Sequence, residues 1–292
     1  MVEVVNIQDK KYPYLLKEIK DPPKKLYYKG NWDLEIFENC LAVVGSRRMT
    51  SYGRRVVEEI VSQIAGVGLT IVSGFMTGID AQSHKTCLKV GGRTIAVMPC
   101  GIDLIHPEDQ KELYLEILNN KGLIISEYQR DFLPQLWTYP RRNRIVAGLS
   151  KAVLIVEAGE KSGSLITANF AKQFKRKIFA VPGPITSETS KGTLQLLKQG
   201  ADLVTSAQDI LEYFKSLGFS PSLISYSNNE ESKIGVLETL EKQILKQLQR
   251  EPLNIDNLAR ILGLPASKLG TILSLMQLKG LIQQEEGKYY VN

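Results

Sequence analysis

Short stretches that are apolar at nearly every position punctuate the chain from residue 41 to about 216: LAVVG, LTIVSG, RTIAVMP, GLIISEY, AVLIVEA, KIFAVPG and ADLVTS. Helix-length segments separate them. A strand apolar at consecutive positions is covered on both faces, as happens in parallel sheets whose crossover helices lie above and below. The pattern therefore predicts a doubly wound, mostly parallel α/β sheet over residues 41–216, with residues 1–40 as an N-terminal extension packing on that core. Ligands of such sheets gather beyond the carboxyl ends of the strands, near the point where strand order reverses.

Periodicity fails over residues 217–234, LGFSPSLISYSNNEESKI, which reads as a linker. Beyond it GVLETLEKQILKQLQ forms an amphipathic helix, NIDNLARILGLPASKLGTILSLMQLKGLI gives two helices broken at LGLPAS, and QQEEGKYYVN can close a hairpin. Three helices and a two-stranded wing describe a small winged-helix domain at residues 235–292. Its would-be recognition helix from Pro265 offers Ala266, Ser267, Lys268, Leu269, Gly270 and Thr271, and residues 236–292 hold seven basic against six acidic side chains. A major-groove reader brings more cations and amides than that, so protein contact or weak DNA contact is favoured over sequence-specific duplex binding.

The residues after each apolar run carry the candidate chemistry. Gly45, Ser46 and Arg47 follow the first run, Ser73 and Gly74 the second, Glu127 and Tyr128 the fourth, and Glu157, Gly159, Lys161, Ser162, Gly163 and Ser164 the fifth. Small residues at strand-to-helix turns let an anion reach backbone amides, although a tight turn alone also accounts for glycine. Arg47, Arg48, Arg54 and Arg55 crowd a helix start that is already the positive end of the backbone dipole. An anion is expected there.

Charge sharpens this picture. The chain's 292 residues carry a net +6, yet residues 141–177 alone hold nine Lys or Arg against Glu157 and Glu160. A solvated helix face accounts equally well for Lys172, Lys175, Arg176 and Lys177 taken by themselves, but basic charge beside a glycine-rich turn points to a polyanion. Cys40, Cys87 and Cys100 show no CxxC spacing and read as reduced, buried residues; with only His84 and His106 present, no metal site is expected. No apolar run approaches the roughly 18 residues of a membrane helix and no leader is evident, so a cytoplasmic protein without membrane insertion is expected.

Enzyme readings find little support. The first turn, GSRRMTSYG, is not GxGxxG, the second strand ends in Ser73 and Gly74 rather than an acid, and GxxxxGK[ST] is absent, so no nucleotide cofactor is expected. GEKSGSLITA resembles the PGGxGTxxE signature of lysine-decarboxylase-like phosphoribohydrolases, but Thr167 stands where that signature has glutamate, which leaves a glycosidic transition state without its carboxylate. Asp80 and His84 share a helix face and could pair as acid and base, yet a helix-start acid and a packed histidine are the simpler reading.

DPPKKLYYKGN, AVVGSRRMTSYG, IVSGFMTGIDAQSH, GRTIAVMPCGIDLIHP, ISEY, YPRRNRIVAGLSKAVLIVEAGEKSGSLITANFA, KIFAVPGPI and KGTLQLLKQGADLV together resemble, in order, the motif series of the DprA/Smf family of DNA-processing proteins, over roughly residues 12–216. The C-terminal segment resembles the winged-helix module that follows it in many members. The chain departs from the family pattern at Met76 and Thr77, where any cationic contact is lost, and at Leu194, which replaces a polar side chain. The resemblance implies a Rossmann-like domain that binds single-stranded DNA without sequence preference, forms homodimers, and protects incoming DNA and loads RecA onto it past single-strand-binding protein during natural transformation. It implies binding with no chemical step; single-strand-binding protein and competence proteins are further candidate partners.

Two phosphate subsites follow on this reading. Gly45, Ser46 and Arg47 with Ser73 and Gly74 hold one; Lys161 with Ser162, Gly163 and Ser164 holds the other. WTYPRRNRIVAG lies between them, with Arg141, Arg142 and Arg144 facing the strand, Asn143 fixing the turn and Tyr139 stacking on an unpaired base. One arginine of the three can instead pair with Glu127 or Glu157 as scaffold, and the sequence leaves open which. A phosphoribohydrolase and a winged-helix DNA-binding regulator are the alternative functions.

Overall fold

The computed structural model describes residues 2–120 and 122–221 and, further on, residues 241–291 other than 242, 249, 265–268, 271, 274, 275, 278–280 and 286. The chain divides into two compact units, Met1–Ile224 and Ser225–Asn292. In the first, all seven apolar runs are strands: β3 (Cys40–Val44), β4 (Thr70–Ser73), β5 (Thr94–Met98), β6 (Leu123–Ser126), β7 (Ala152–Ile155), β8 (Lys177–Ala180) and β9 (Asp202–Leu203). They pair in parallel. The N-terminal extension goes further than packing on this core. It supplies β1 (Glu3–Asn6) and β2 (Lys25–Gly30), which add antiparallel to the edge at β6. The nine-stranded order is β1-β2-β6-β5-β4-β3-β7-β8-β9.

Burial on both faces is visible residue by residue. Ala42 and Val44 of β3 and Val153 and Ile155 of β7 join one core cluster, whereas Leu41, Val43, Ala152 and Leu154 join another on the opposite face. Helices α1 (Tyr14–Lys17), α5 (Thr138–Leu149), α6 (Ser164–Gln173) and α7 (Lys191–Lys198) cover the first face. The other is covered by α2 (Ser51–Gly66), α3 (Ile79–Lys89), α4 (Lys111–Asn119) and α8 (Ala207–Ser216). After β3 the chain winds outward through β4, β5 and β6, then returns to place β7 on the free edge of β3. Strand order therefore reverses between β3 and β7, and a crevice is expected where the loops leaving them diverge.

The second unit has its own core, including Ile244, Leu248, Leu258, Leu269, Ile272 and Leu273. A helix, Ile255–Leu262, is capped by the Asn254 side chain, which accepts from the Asn257 N–H at 2.9 Å, and it ends at Gly263 with φ +65°. The expected hairpin is β10 (Ile282–Glu285) with β11 (Lys288–Val291). Residues 222–234 of the expected linker, and Pro265 to Lys268 and Thr271 of the expected recognition helix, lie outside the described residues. Among the described residues no helix is long and apolar enough to cross a membrane.

Candidate functional site

A cleft of about 730 Å³ opens at the β3/β7 switch. Gly45, Ser46 and Arg47 line it from the β3–α2 loop, Lys161, Ser162, Gly163 and Ser164 from the β7–α6 turn, and Tyr139, Arg142 and Asn143 from the first turns of α5; Gly74 forms part of its wall. The residues expected from the sequence thus converge, with three exceptions. Ser73, Arg141 and Arg144 do not line the cleft.

Each exception has a physical reason. Ser73 is fully buried and donates its hydroxyl to the Val43 carbonyl at 2.6 Å, a bond between neighbouring strands. Arg144 is buried and bonds Glu127, with Asp21 at 3.4 Å from its Nε; Arg141 reaches Glu127 at 3.2 Å and Asp21 at 3.7 Å. These two arginines hold the N-terminal extension and the end of β6 against α5. Glu157, the other candidate acid, accepts from no arginine among the described residues. Its carboxylate takes the Thr50 N–H at 3.0 Å, the Thr50 hydroxyl at 2.5 Å and the Thr189 hydroxyl at 3.3 Å, fixing the start of α2 to the end of β7.

Arg142 lies in the floor of the cleft. It is 3% exposed, donates to the Gly74 and Val97 carbonyls, and gives its Nε–H to Asn143 Oδ1 at 3.1 Å. Burial lowers its pKa to about 10 even though the neighbouring Asp80 carboxylate favours the charge. Asp80, in the first turn of α3, is pushed up to about 6 by the same burial, against the pull of Arg142 and a 3.4 Å bond from the Met76 N–H. A Cβ on Gly74 would lie 2.6 Å from Arg142 Nη2 and 2.7 Å from Asp80 Oδ2, so this glycine makes room for the protein's own charged side chains. Gly45 likewise faces Ile79 and the Glu157 carbonyl. Gly163 differs, since a Cβ there would meet nothing within 4 Å. That leaves the β7–α6 turn open to a ligand at the N-terminus of α6.

Asn143 sits within α5 rather than at a turn, and it bridges to the Gly163 carbonyl at 3.2 Å. The Ser162 and Ser164 hydroxyls bond each other at 2.8 Å. Tyr139 is half-buried, its hydroxyl 2.7 Å from His106 Nε2 and its ring 5.3 Å from the Arg47 guanidinium. His84 does not pair with Asp80: its Nδ1 meets the Thr94 hydroxyl at 2.6 Å, and burial lowers its pKa to about 3.

With Arg142 and Asp80 balancing each other, the remaining charged groups on the cleft are Arg47, Arg48 and Lys161 against Glu188. The surface is cationic, has an accessible helix N-terminus and is suited to phosphate groups. Sequence reasoning missed Glu157 as the anchor of α2, His106 as the partner of Tyr139, and Arg48 as a lining residue. The first two pairings span 107 and 33 residues, which no local spacing reveals. Among the described residues no group of His, Cys, Asp and Glu could hold a metal ion. Lys172, Lys175, Arg176 and Lys177 line a separate cleft of about 400 Å³, where Lys177 is already paired with Asp202 at 2.6 Å. The three cysteines are free and buried.

Residues 3–215 match the family model described as DNA recombination-mediator protein A, and residues 230–288 match that of the DprA winged helix domain. Protein Smf of Synechocystis is 36% identical over 97% of this chain and 78% of its own length. The DNA processing protein DprA of Bacillus subtilis is 40% identical over 72% of this chain and 71% of its own. The crystal structure of DprA from Streptococcus pneumoniae superposes with a TM-score of 0.68 at 40% identity, covering 72% of this chain and 73% of that one. DNA processing protein A of Helicobacter pylori, whose structure describes a single-stranded DNA binding mode, superposes with a TM-score of 0.66 at 30% identity over 74% of this chain and 96% of that one.

Proposed function

The chain belongs to the DNA recombination-mediator protein A family, and from that premise we propose that it binds single-stranded DNA in the β3/β7 cleft, as a cytoplasmic homodimer, and presents the strand to RecA. The observation that carries this reading is the cleft itself. Arg47, Arg48 and Lys161 line it together with the open Gly163 turn at the α6 N-terminus, and among the described lining residues the acids are Asp80, beside the buried Arg142, and Glu188. Backbone amides give a phosphate direction, and the side-chain cations give the attraction its range.

Tyr139 with Arg47 over its ring forms a flat cationic surface beside this turn, suited to an unpaired base. Arg142 and Asn143 act from below, the first as a buried charge and the second by setting the Gly163 carbonyl. Arg141, Arg144 and Ser73 belong to the scaffold. No step of this function makes or breaks a covalent bond. The strand is shielded while held and is passed on during recombination, including the uptake of DNA in natural transformation.

A dye-labelled oligonucleotide competed with unlabelled single strand, duplex and AMP tests the reading directly. Single strand of any sequence is expected to displace the label at far lower concentration than duplex, and AMP to remain intact. Preference for one duplex sequence, or release of adenine, overturns it in favour of a regulator or a phosphoribohydrolase. RecA filament growth on a strand coated with single-strand-binding protein, with and without this protein, tests the loading step.

A further inference from the structure

The segment between β6 and α5, QRDFLPQLW at residues 129–137, holds three of the large apolar side chains that the first unit exposes. Leu133 is 65% exposed, Leu136 92% and Trp137 53%. Scattered apolar residues on a surface need no explanation, but contiguous ones beside a binding cleft do. These side chains stand on an ordered base. Tyr128 and Phe132 stack with ring centroids 4.6 Å apart, and Trp137 meets both nearly edge-on at 5.9 and 6.1 Å. The backbone beneath is pinned by Gly101 N–H to the Phe132 carbonyl at 2.8 Å and by Asp103 N–H to the Arg130 carbonyl at 3.0 Å. Leu136 is at once part of this patch and part of the cleft wall, so the two surfaces are continuous.

We infer that Trp137, braced by Tyr128 and Phe132, is a second base-stacking platform that carries the strand out of the cleft and along the β6–α5 segment. This deepens the single-strand reading and rests on it. The occupant is the same strand whose phosphates the cleft holds, because the patch begins at a cleft residue and an indole accepts any base with little loss of side-chain freedom. Exposed Arg130 in the same segment leaves a cation beside the backbone of that strand.

The chain has two tryptophans, and Trp32 packs against Tyr28 and Phe37, so Trp32→Phe leaves Trp137 as the sole indole, excited selectively beyond the tyrosine band. This variant is titrated with dye-labelled oligothymidylate of about 15 nucleotides, within the span of known single-strand sites, following anisotropy for occupancy and indole emission for stacking. Emission is expected to be quenched in step with occupancy, and to stay unquenched when the bases facing the segment are replaced by abasic sites. Trp137→Ala is expected to weaken binding about tenfold with the salt slope unchanged, and Trp137→Phe to restore most of it. Saturating anisotropy with unchanged emission overturns the inference while leaving the cleft intact. Emission that follows protein concentration without DNA also overturns it, assigning the patch to a second copy of the chain. Absence of any rise in anisotropy strikes the cleft reading itself, and the platform falls with it.

Discussion

At the scale of single residues the arginines divide by what surrounds them, and the division predicts different failures. Arg47 and Lys161 line the cleft and are in no ion pair among the described residues, so Arg47→Ala and Lys161→Ala should each weaken binding about equally for all sequences and flatten the plot of log affinity against log salt by about 0.7. Arg144→Ala should leave that slope alone and cost stability, about 3 kcal/mol in chemical denaturation, because Glu127 loses a buried partner. Sequence spacing could not separate them, since R-R-N-R at 141–144 spans most of a helical turn: Arg141 and Arg144, three apart, share one side and meet Glu127, whereas Arg142, about 100° from Arg141, reaches the cleft floor. Glycines show the same limit. Gly45, Gly74 and Gly163 look alike in the sequence, but only Gly163 faces open space. His84 offers a separate test at this scale. Its folded pKa is depressed to about 3, so its neutral form supports the fold above pH 6.5 and stability is lost as pH falls toward 3, by about 2 kcal/mol at pH 5. Asp80 acts with the opposite sign between about pH 4 and 6, its raised pKa favouring the fold at the acid end. Comparing wild type with His84→Gln at each pH isolates the histidine, and an equal pH slope in the two would contradict the assignment.

At the scale of elements the buried parallel strands were legible because burial on both faces leaves an uninterrupted apolar run. The edge strands were not. In β2 only Leu26 and Tyr28 are buried, between lysines, and β1 buries Val5 alone, so neither makes a pattern distinct from a loop until the edge of β6 is there to receive them. The start of α2 was legible as a cluster of cations, whereas its anchor was not. Glu157, 3% exposed, accepts both the N–H and the hydroxyl of Thr50, while the Thr50 hydroxyl oxygen in turn caps Gly53 at 3.2 Å. Glu157→Gln keeps the volume but removes the charge and turns an NH₂ toward one of these donors. A loss of about 2 kcal/mol is expected. Because the β3–α2 loop that carries Arg47 is held by this contact, strand affinity should fall as well with little change in salt slope, which separates a displaced loop from a deleted charge. A Glu157→Gln protein of wild-type stability would show that the Thr50 contact does not hold α2.

At the scale of the whole molecule each unit carries its own core, and every residue assigned to the cleft lies in the first. The second unit has a winged-helix outline whose charges nearly cancel, seven basic against six acidic over residues 236–292. Counterion release supplies most of the affinity for nucleic acid, so a unit with almost no net charge contributes little to it. Deleting residues 222–292 is therefore expected to leave the first unit folded, with single-strand affinity within about twofold of the full chain and the same salt slope. The isolated second unit, residues 235–292, should bind duplex weakly and without sequence preference. Whatever else depends on the second unit then shows as a loss in RecA filament assembly at unchanged strand affinity, measured with the truncated and full chains side by side. If truncation instead lowers strand affinity tenfold or lowers the salt slope by several units, the strand is shared between the two units and the cleft is only part of its path.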